Sequence, residues 1–198
     1  DFEQKTEAGM TLNPELVLAG MKAEFAGKAL LKEEEVQTLL TKLETDFRAK
    51  QQELATKKAE ESKVAGAAFL VENAKREGVK TTESGIQYEV LTAADAGAKP
   101  KAEDTVKVHY KGTLIDGTEF DSSYTRNEPA TFPLNQVIKG WTEGVQLMSV
   151  GAKYKFVIPA ELAYGDRDTG TIPANSTLVF EVELLSIEKA AAAEAPAQ

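Results

Sequence analysis

VKVHYKGTLIDGTEFDSSY, residues 106–124, decides the fold of the C-terminal part of this chain. Two runs rich in strand formers flank Asp116-Gly117, a pair suited to a tight hairpin turn: Val106, Val108, Tyr110, Thr113 and Leu114 before it, Thr118 and Phe120 after it. Alternation puts Val106, Val108 and Tyr110 on one face and Lys107, His109 and Lys111 on the other, the pattern of a half-buried strand. Tyr110 then faces inward, where its hydroxyl needs a partner, and Asp121 just beyond the turn is a candidate acceptor. One carboxylate among aromatics predicts a binding pocket. For each aromatic taken singly a place in the core is the better expectation, and Asp121 could equally cap a turn with Ser122 and Ser123.

Strand signals continue on both sides of this hairpin. Ile86, Tyr88 and Val90 alternate, as do the residues of KYKFVI (153–158), and Leu178, Phe180, Val182 and Leu184 predict a long strand near the end. Between them GWTEGVQLM (140–148) reads as the one helix of this half, with Trp141, Val145 and Met148 on a shared face. Strands with a single helix predict an α+β fold in which a bent antiparallel sheet wraps a short helix. The closing KAAAAEAPAQ (189–198) is alanine-rich and of low complexity, so frayed helix or disorder is expected there.

Upstream the pattern is helical and all-α, with Pro14 the one proline before about residue 77. Asn13-Pro14 predicts a helix start, with Asn as cap and Pro in the first turn; Leu16, Met21 and Phe25 recur at helical spacing before Gly27 ends the element. A second helix opens near Lys32, where Glu33, Glu34 and Glu35 suit the positive end of the helix dipole although no Ser or Thr caps it. Val36, Leu39, Leu40, Leu43 and Phe47 form an apolar stripe. From Arg48 to Lys63, RAKQQELATKKAEESK is almost wholly polar and reads as a solvated stalk in one long helix running to about Lys75; a hairpin broken near Ser62 is the alternative. The amphipathic part has too few apolar residues to be stable alone. Either it packs on the C-terminal domain, or Leu16, Met21, Phe25, Val36, Leu39, Leu40, Leu43 and Phe47 pack against a second copy.

The net charge of −9 argues against nucleic acid, whose phosphates need clustered Lys and Arg. Without cysteine there are no disulfides, zinc-thiolate sites or thiol nucleophiles, and a lone histidine, His109, excludes a two-histidine metal site. His109 is expected to be an ordinary residue on the outer strand face. No apolar run is long enough for a membrane-spanning helix. The chain starts at Asp1 and not at Met, so a leader or a longer N-terminus removed from this sequence is expected.

Three blocks in order, VHYKGTLIDGTEFDSSY (108–124), QVIKGWTEGVQLMSVGAKYKFVIPAELAYGDR (136–167) and IPANSTLVFEVELLSIE (172–188), resemble the core of the FKBP-type peptidyl-prolyl cis-trans isomerases from about Gly85 to Glu188. The helical segment before them resembles the dimerisation arm of the family's two-domain bacterial members, the Mip and FkpA type. The resemblance implies a helical dimerisation domain with its linker helix over 1–77, an isomerase domain over 78–190 and a tail over 191–198. It also implies a V-shaped homodimer and a rotamase acting on Xaa-Pro bonds of unfolded or partly folded polypeptides, with no cofactor and no metal. Its site would place Tyr110, Phe120, Phe132, Val137, Trp141, Ile172 and Phe180 around the proline, with Trp141 as floor. Asp121 would be the polar wall, and the Tyr164 hydroxyl and the Ile138 backbone N–H would be donors to substrate.

A rapamycin-like macrolide is the ligand the resemblance suggests. Ala130 after Pro129, a shortened 132–137 segment and a short charged loop after Tyr164, GDRDTGT (165–171), depart from many eukaryotic members and bear on sequence preference and macrolide binding. The tail and KGTLIDGTEFDSSYTRNEPA (111–130) resemble the periplasmic type slightly more than the cytoplasmic one. Three functions compete: a dimeric isomerase, a dimeric chaperone holding unfolded chains in the cleft between its arms, and a structural coiled-coil adaptor.

Overall fold

A computed structural model describes residues 13–28, 31–94 and 97–188. The alanine-rich tail and its expected disorder lie outside the described residues. Packing divides the chain into two compact units, Asp1–Lys57 and Lys58–Gln198.

In the first unit, helix α1 covers Pro14–Phe25. Asn13 Oδ1 accepts from the backbone N–H of Glu15 (2.9 Å) and of Leu16 (3.3 Å), so two of the helix's four orphan donors are satisfied by the residue the sequence singles out as cap. Helix α2 runs unbroken over Glu33–Asn73, and no hairpin forms at Ser62. It has no Ser or Thr cap, but the Glu35 carboxylate reaches back to accept from the Lys32 backbone N–H at 2.8 Å, which is the glutamate half of a capping box. Leu16, Met21, Phe25, Val36, Leu39, Leu40 and Leu43 are all exposed, Phe25 by 90%, and Phe47 is half-buried.

Among its described residues the second unit holds the end of α2, seven strands and a short α-helix. A seven-stranded antiparallel sheet has the order β1-β2-β6-β7-β3-β4, with β5 pairing on β3 beside β4. The strands are β1 (Val79–Thr81), β2 (Gln87–Thr92), β3 (Thr105–Leu114), β4 (Glu119–Ser122), β5 (Ala130–Pro133), β6 (Lys153–Ile158) and β7 (Leu178–Glu188). The β3–β4 turn closes as the Asp-Gly pair predicts: Gly117 takes φ 89°, Leu114 N–H donates to the Thr118 carbonyl at 2.9 Å, and Asp116 Oδ1 accepts from Thr118 N–H at 2.8 Å. Along β3 Val106, Val108 and Tyr110 are buried, as are Leu178, Phe180, Val182 and Leu184 on β7. These side chains share one core with helix α3 (Lys139–Val145), whose Trp141 and Val145 are buried, and with Met148 beyond its end. Gly140 and Gly144 lie directly against Ile158 and Phe156, which lets α3 sit close on β6.

His109 departs from the expectation of an ordinary surface residue. It is half-buried, with Nδ1 2.9 Å from Ser123 Oγ and its ring stacked on Tyr124 at 4.8 Å between centroids.

The solvated-stalk reading of 48–63 also needs a correction at its end. Residues 48–58 are exposed, but Ser62 is half-buried and Gly66 is buried against Thr177. Beyond it, Asn73 Nδ2 donates to Gln87 Oε1 and Gln87 Nε2 to the Leu70 carbonyl, each at 2.8 Å, which fastens the helix end to β2. In a free helix, Gly66→Ala stabilises by about 1 kcal/mol. Here a Cβ at residue 66 would meet Thr177 Oγ1 and lie 3.1 Å from its Cβ, so the substitution is expected to destabilise by roughly 1–3 kcal/mol. A lowered urea midpoint is the expected reading, and a raised one contradicts the close seating of the helix.

Candidate active site

Trp141 occupies the first turn of α3 and is 5% exposed. Three rings meet its indole edge-on: Tyr110 from β3 at 5.2 Å and 88°, Phe132 from β5 at 5.7 Å and 89°, and Phe180 from β7 at 5.4 Å and 85°. Phe120 from β4 extends the set by meeting Phe180 at 5.6 Å and 85°. Such edge-to-face pairs are worth about 0.5–1.5 kcal/mol each beyond the area they bury, so the rings hold one another in place. They form the base and flanks of an open cavity of about 550 Å³, in the size range of small-molecule sites.

The rest of the wall comes from two loops. Gln136, Val137 and Ile138 enter it from the segment leading into α3, and Tyr164, Thr169, Thr171 and Ile172 from the segment between β6 and β7. All ten residues the sequence proposes for the site therefore line one cavity: Tyr110, Phe120, Asp121, Phe132, Val137, Ile138, Trp141, Tyr164, Ile172 and Phe180. Trp141, Ile172 and Phe180 are buried, whereas Tyr164 is 39% exposed at the mouth. Ile138 is the residue that starts α3, and its carbonyl accepts from the N–H groups of Trp141 and Thr142.

Among the described residues Asp121 is the one charged side chain of the lining. Its carboxylate accepts from the Tyr110 hydroxyl, as the sequence suggests, and also from the Arg126 guanidinium, which in turn donates from Nη2 to the Tyr110 oxygen at 2.9 Å. Arg126 also lies over the Tyr110 ring, 5.7 Å from its centroid. Burial alone would raise the Asp121 carboxyl, but the Tyr110 hydroxyl and Arg126 outweigh it and hold the group below the ordinary aspartate value of 3.8. Burial and the Asp121 carboxylate push the Tyr110 hydroxyl above 10.0, with Arg126 opposing. Tyr110 thus stays a donor and Asp121 an anion throughout the neutral range.

Sequence reasoning missed Arg126, Gln136, Thr169 and Thr171. A cation five residues past Asp121, on the loop that must return from β4 to β5, was the available signal for Arg126. The polar residues of the 169–171 turn carry no pattern of their own. They are positioned by a local closure in which Thr169 N–H donates to the Ile172 carbonyl and Ile172 N–H to Thr169 Oγ1, both at 3.1 Å.

The chain matches two family descriptions in succession: residues 96–185 match the FKBP-type peptidyl-prolyl cis-trans isomerase, and residues 2–90 match the domain amino-terminal to it. It is 53% identical over 191 residues to the FKBP-type peptidyl-prolyl cis-trans isomerase FkpA of Aeromonas hydrophila, covering 96% of this chain and 71% of that one. It is 45% identical to the outer membrane protein MIP of Legionella longbeachae, over 92% of this chain and 79% of the relative. The crystal structure of FkpA from Escherichia coli superposes with a TM-score of 0.83 at 43% identity, covering 96% of this chain and 88% of that one.

Proposed function

The chain belongs to the FKBP-type peptidyl-prolyl cis-trans isomerase family and is an isomerase of Xaa-Pro bonds, and we propose that the cup over Trp141 is where it turns them. The observation that carries this is the ring of edge-on aromatics around a buried indole, with a single carboxylate, ionised at neutral pH, at its side.

The barrier to be lowered is the roughly 18–20 kcal/mol that amide resonance imposes on rotation about the C–N bond. Resonance puts negative charge on the carbonyl oxygen and positive charge on nitrogen; twisting removes both, so the twisted state is the less polar one. An apolar cup that strips water from the amide therefore stabilises the twisted state relative to the planar one. Asp121 adds to this when it faces the carbonyl, because a fixed anion disfavours the oxygen's negative charge most in the planar form. The Tyr164 hydroxyl and the Ile138 N–H hold substrate carbonyls, and the proline ring lies on Trp141 between Tyr110, Phe132 and Phe180. Phe120, Val137 and Ile172 complete the apolar enclosure. The rings around Trp141 and the Asp121 carboxylate are preorganised, since their contacts with one another and with Tyr110 and Arg126 hold them before substrate arrives.

No proton moves in this scheme, which separates it from acid-base chemistry. Turnover of a short Xaa-Pro peptide is expected to be flat across the neutral range. Asp121's folded value is depressed, so its ionised form and the stability it lends are complete above 3.8 and are lost only as the pH falls below that through the lowered value. A sigmoidal step in kcat near neutrality contradicts this role.

We propose further that residues 1–77 form a dimerisation segment with its linker helix, that 78–190 form the isomerase domain and that 191–198 are a tail. The exposure of Leu16, Met21, Phe25, Val36, Leu39, Leu40 and Leu43 supports a homodimer, with Phe47 at the stripe's end. Its substrates are proline-containing unfolded or folding polypeptides, with an associated chaperone role, and a rapamycin-like macrolide is the inhibitor class suited to the cup. A periplasmic location in a Gram-negative cell is proposed from the likeness to FkpA and to an outer membrane protein. Among the described residues no helix is long and apolar enough to cross a membrane.

A further inference from the structure

A second cavity, of about 440 Å³, lies within the second unit between α2 and the β3–β4 turn. Its helix side is Lys58, Glu61, Ser62 and Ala65, and its opposite wall includes Ile115 and Thr118. Thr171 lines both this groove and the aromatic cup. The 169–172 turn that carries Thr171 is closed on itself by two hydrogen bonds, and Gly170 N–H donates to Asp168 Oδ1 at 2.7 Å, so the divide between the two cavities is a built ridge.

A polypeptide that places a proline in the cup must leave it in both directions, advancing about 3.4 Å per extended residue. We propose that the groove is an extended subsite for one flank of the substrate polypeptide, reached across Thr171, and that α2 thereby takes part in substrate selection. The inference rests on the cup being the proline site. Its occupant is an extended peptide segment: the walls carry hydroxyls (Ser62, Thr118, Thr171 and Thr177; that of Ser176 already donates to the Pro173 carbonyl) suited to backbone groups, with Ala65, Leu114, Ile115 and Pro173 for small apolar side chains. Asp116, whose carboxyl is lowered chiefly by the hydrogen bond from Thr118 and a little by the attraction of Lys58, lines the groove with Lys58 and Glu61. The groove therefore presents both signs of charge and is not an anion or cation trap.

Steady-state isomerisation by the full chain should be compared for a four-residue Xaa-Pro peptide, confined to the cup, and for a peptide extended by six residues on each side of the proline. Two variants narrow the groove from opposite walls, Ser62→Trp on the helix and Thr118→Trp on the turn. The expected result is a KM for the extended peptide raised about fivefold or more in both variants, with kcat, short-peptide kcat/KM and the thermal midpoint unchanged. Unchanged extended-peptide KM in both variants overturns the proposal and leaves the groove a crevice of helix packing. A parallel loss for short and extended peptides also overturns it, because the effect then passes through the cup or the fold. Failure of the underlying reading shows separately, as absent short-peptide turnover in the unmodified chain.

Discussion

Asp121→Leu is expected to lower turnover of a short Xaa-Pro peptide by roughly 100-fold, the loss that follows removal of one preorganised polar group from an active site. That corresponds to about 2.7 kcal/mol of transition-state stabilisation. Two effects combine. The fixed anion beside the amide is gone, and Tyr110 and Arg126 lose the acceptor that aligns both of them. The fold should survive, because the Asp121 side chain is 40% exposed and Arg126 50%, so water can replace the lost partner. Asp121→Asn keeps an acceptor for Tyr110 without the charge, and should fall between the two. Suppression of aggregation of an unfolded protein is expected to persist in Asp121→Leu. If turnover and aggregation suppression vanish together in a variant that remains folded, the separation of isomerase and chaperone roles is wrong.

The second large effect concerns the first unit. Deleting residues 1–47 is expected to convert a homodimer into a monomer, measured by sedimentation at micromolar concentration, while turnover of the short peptide survives. The deletion removes the exposed apolar residues of α1 and the stripe from Val36 to Phe47. It leaves intact the polar contacts that fasten the end of α2, Asn73 to Gln87 and Gln87 to Leu70, so the sheet keeps its helix. A full-length chain that sediments as a monomer contradicts the assignment of this face to a second copy. Loss of short-peptide turnover in the deletion contradicts the independence of the cup.

Legibility from sequence followed how local the controlling physics is. The β3–β4 hairpin was readable because Asp116-Gly117 dictates its own turn geometry, and the two-residue period of Val106, Val108 and Tyr110 matches their burial. The starts of α1 and α2 were readable for the same reason, each being set by a side chain within three residues, Asn13 and Glu35. The cup is assembled from β3, β4, β5, β7, α3 and two loops, and no local pattern brings Tyr110 beside Phe180 or Trp141. Its residues were proposed through the resemblance of separated blocks.

Arg126 escaped because its partners, Asp121 and Tyr110, are chosen by the path of a loop between strands. The seating of α2 on the sheet escaped for a related reason. Gly66 looks like a weak point in a helix until Thr177, far along the chain, is placed against it. The half-burial of His109 likewise depends on Ser123 and Tyr124 across the hairpin.

The central claim, that the cup over Trp141 is the seat of prolyl isomerisation, is tested most directly by two-dimensional NMR of the chain titrated with a short Xaa-Pro peptide. Exchange cross-peaks between the peptide's cis and trans forms should appear at catalytic protein concentrations. Over the same titration, the Trp141 indole, the Ile138 amide and the Tyr164 ring should shift and saturate together. Catalysed exchange with those three groups unmoved, or no exchange at all, would contradict the account.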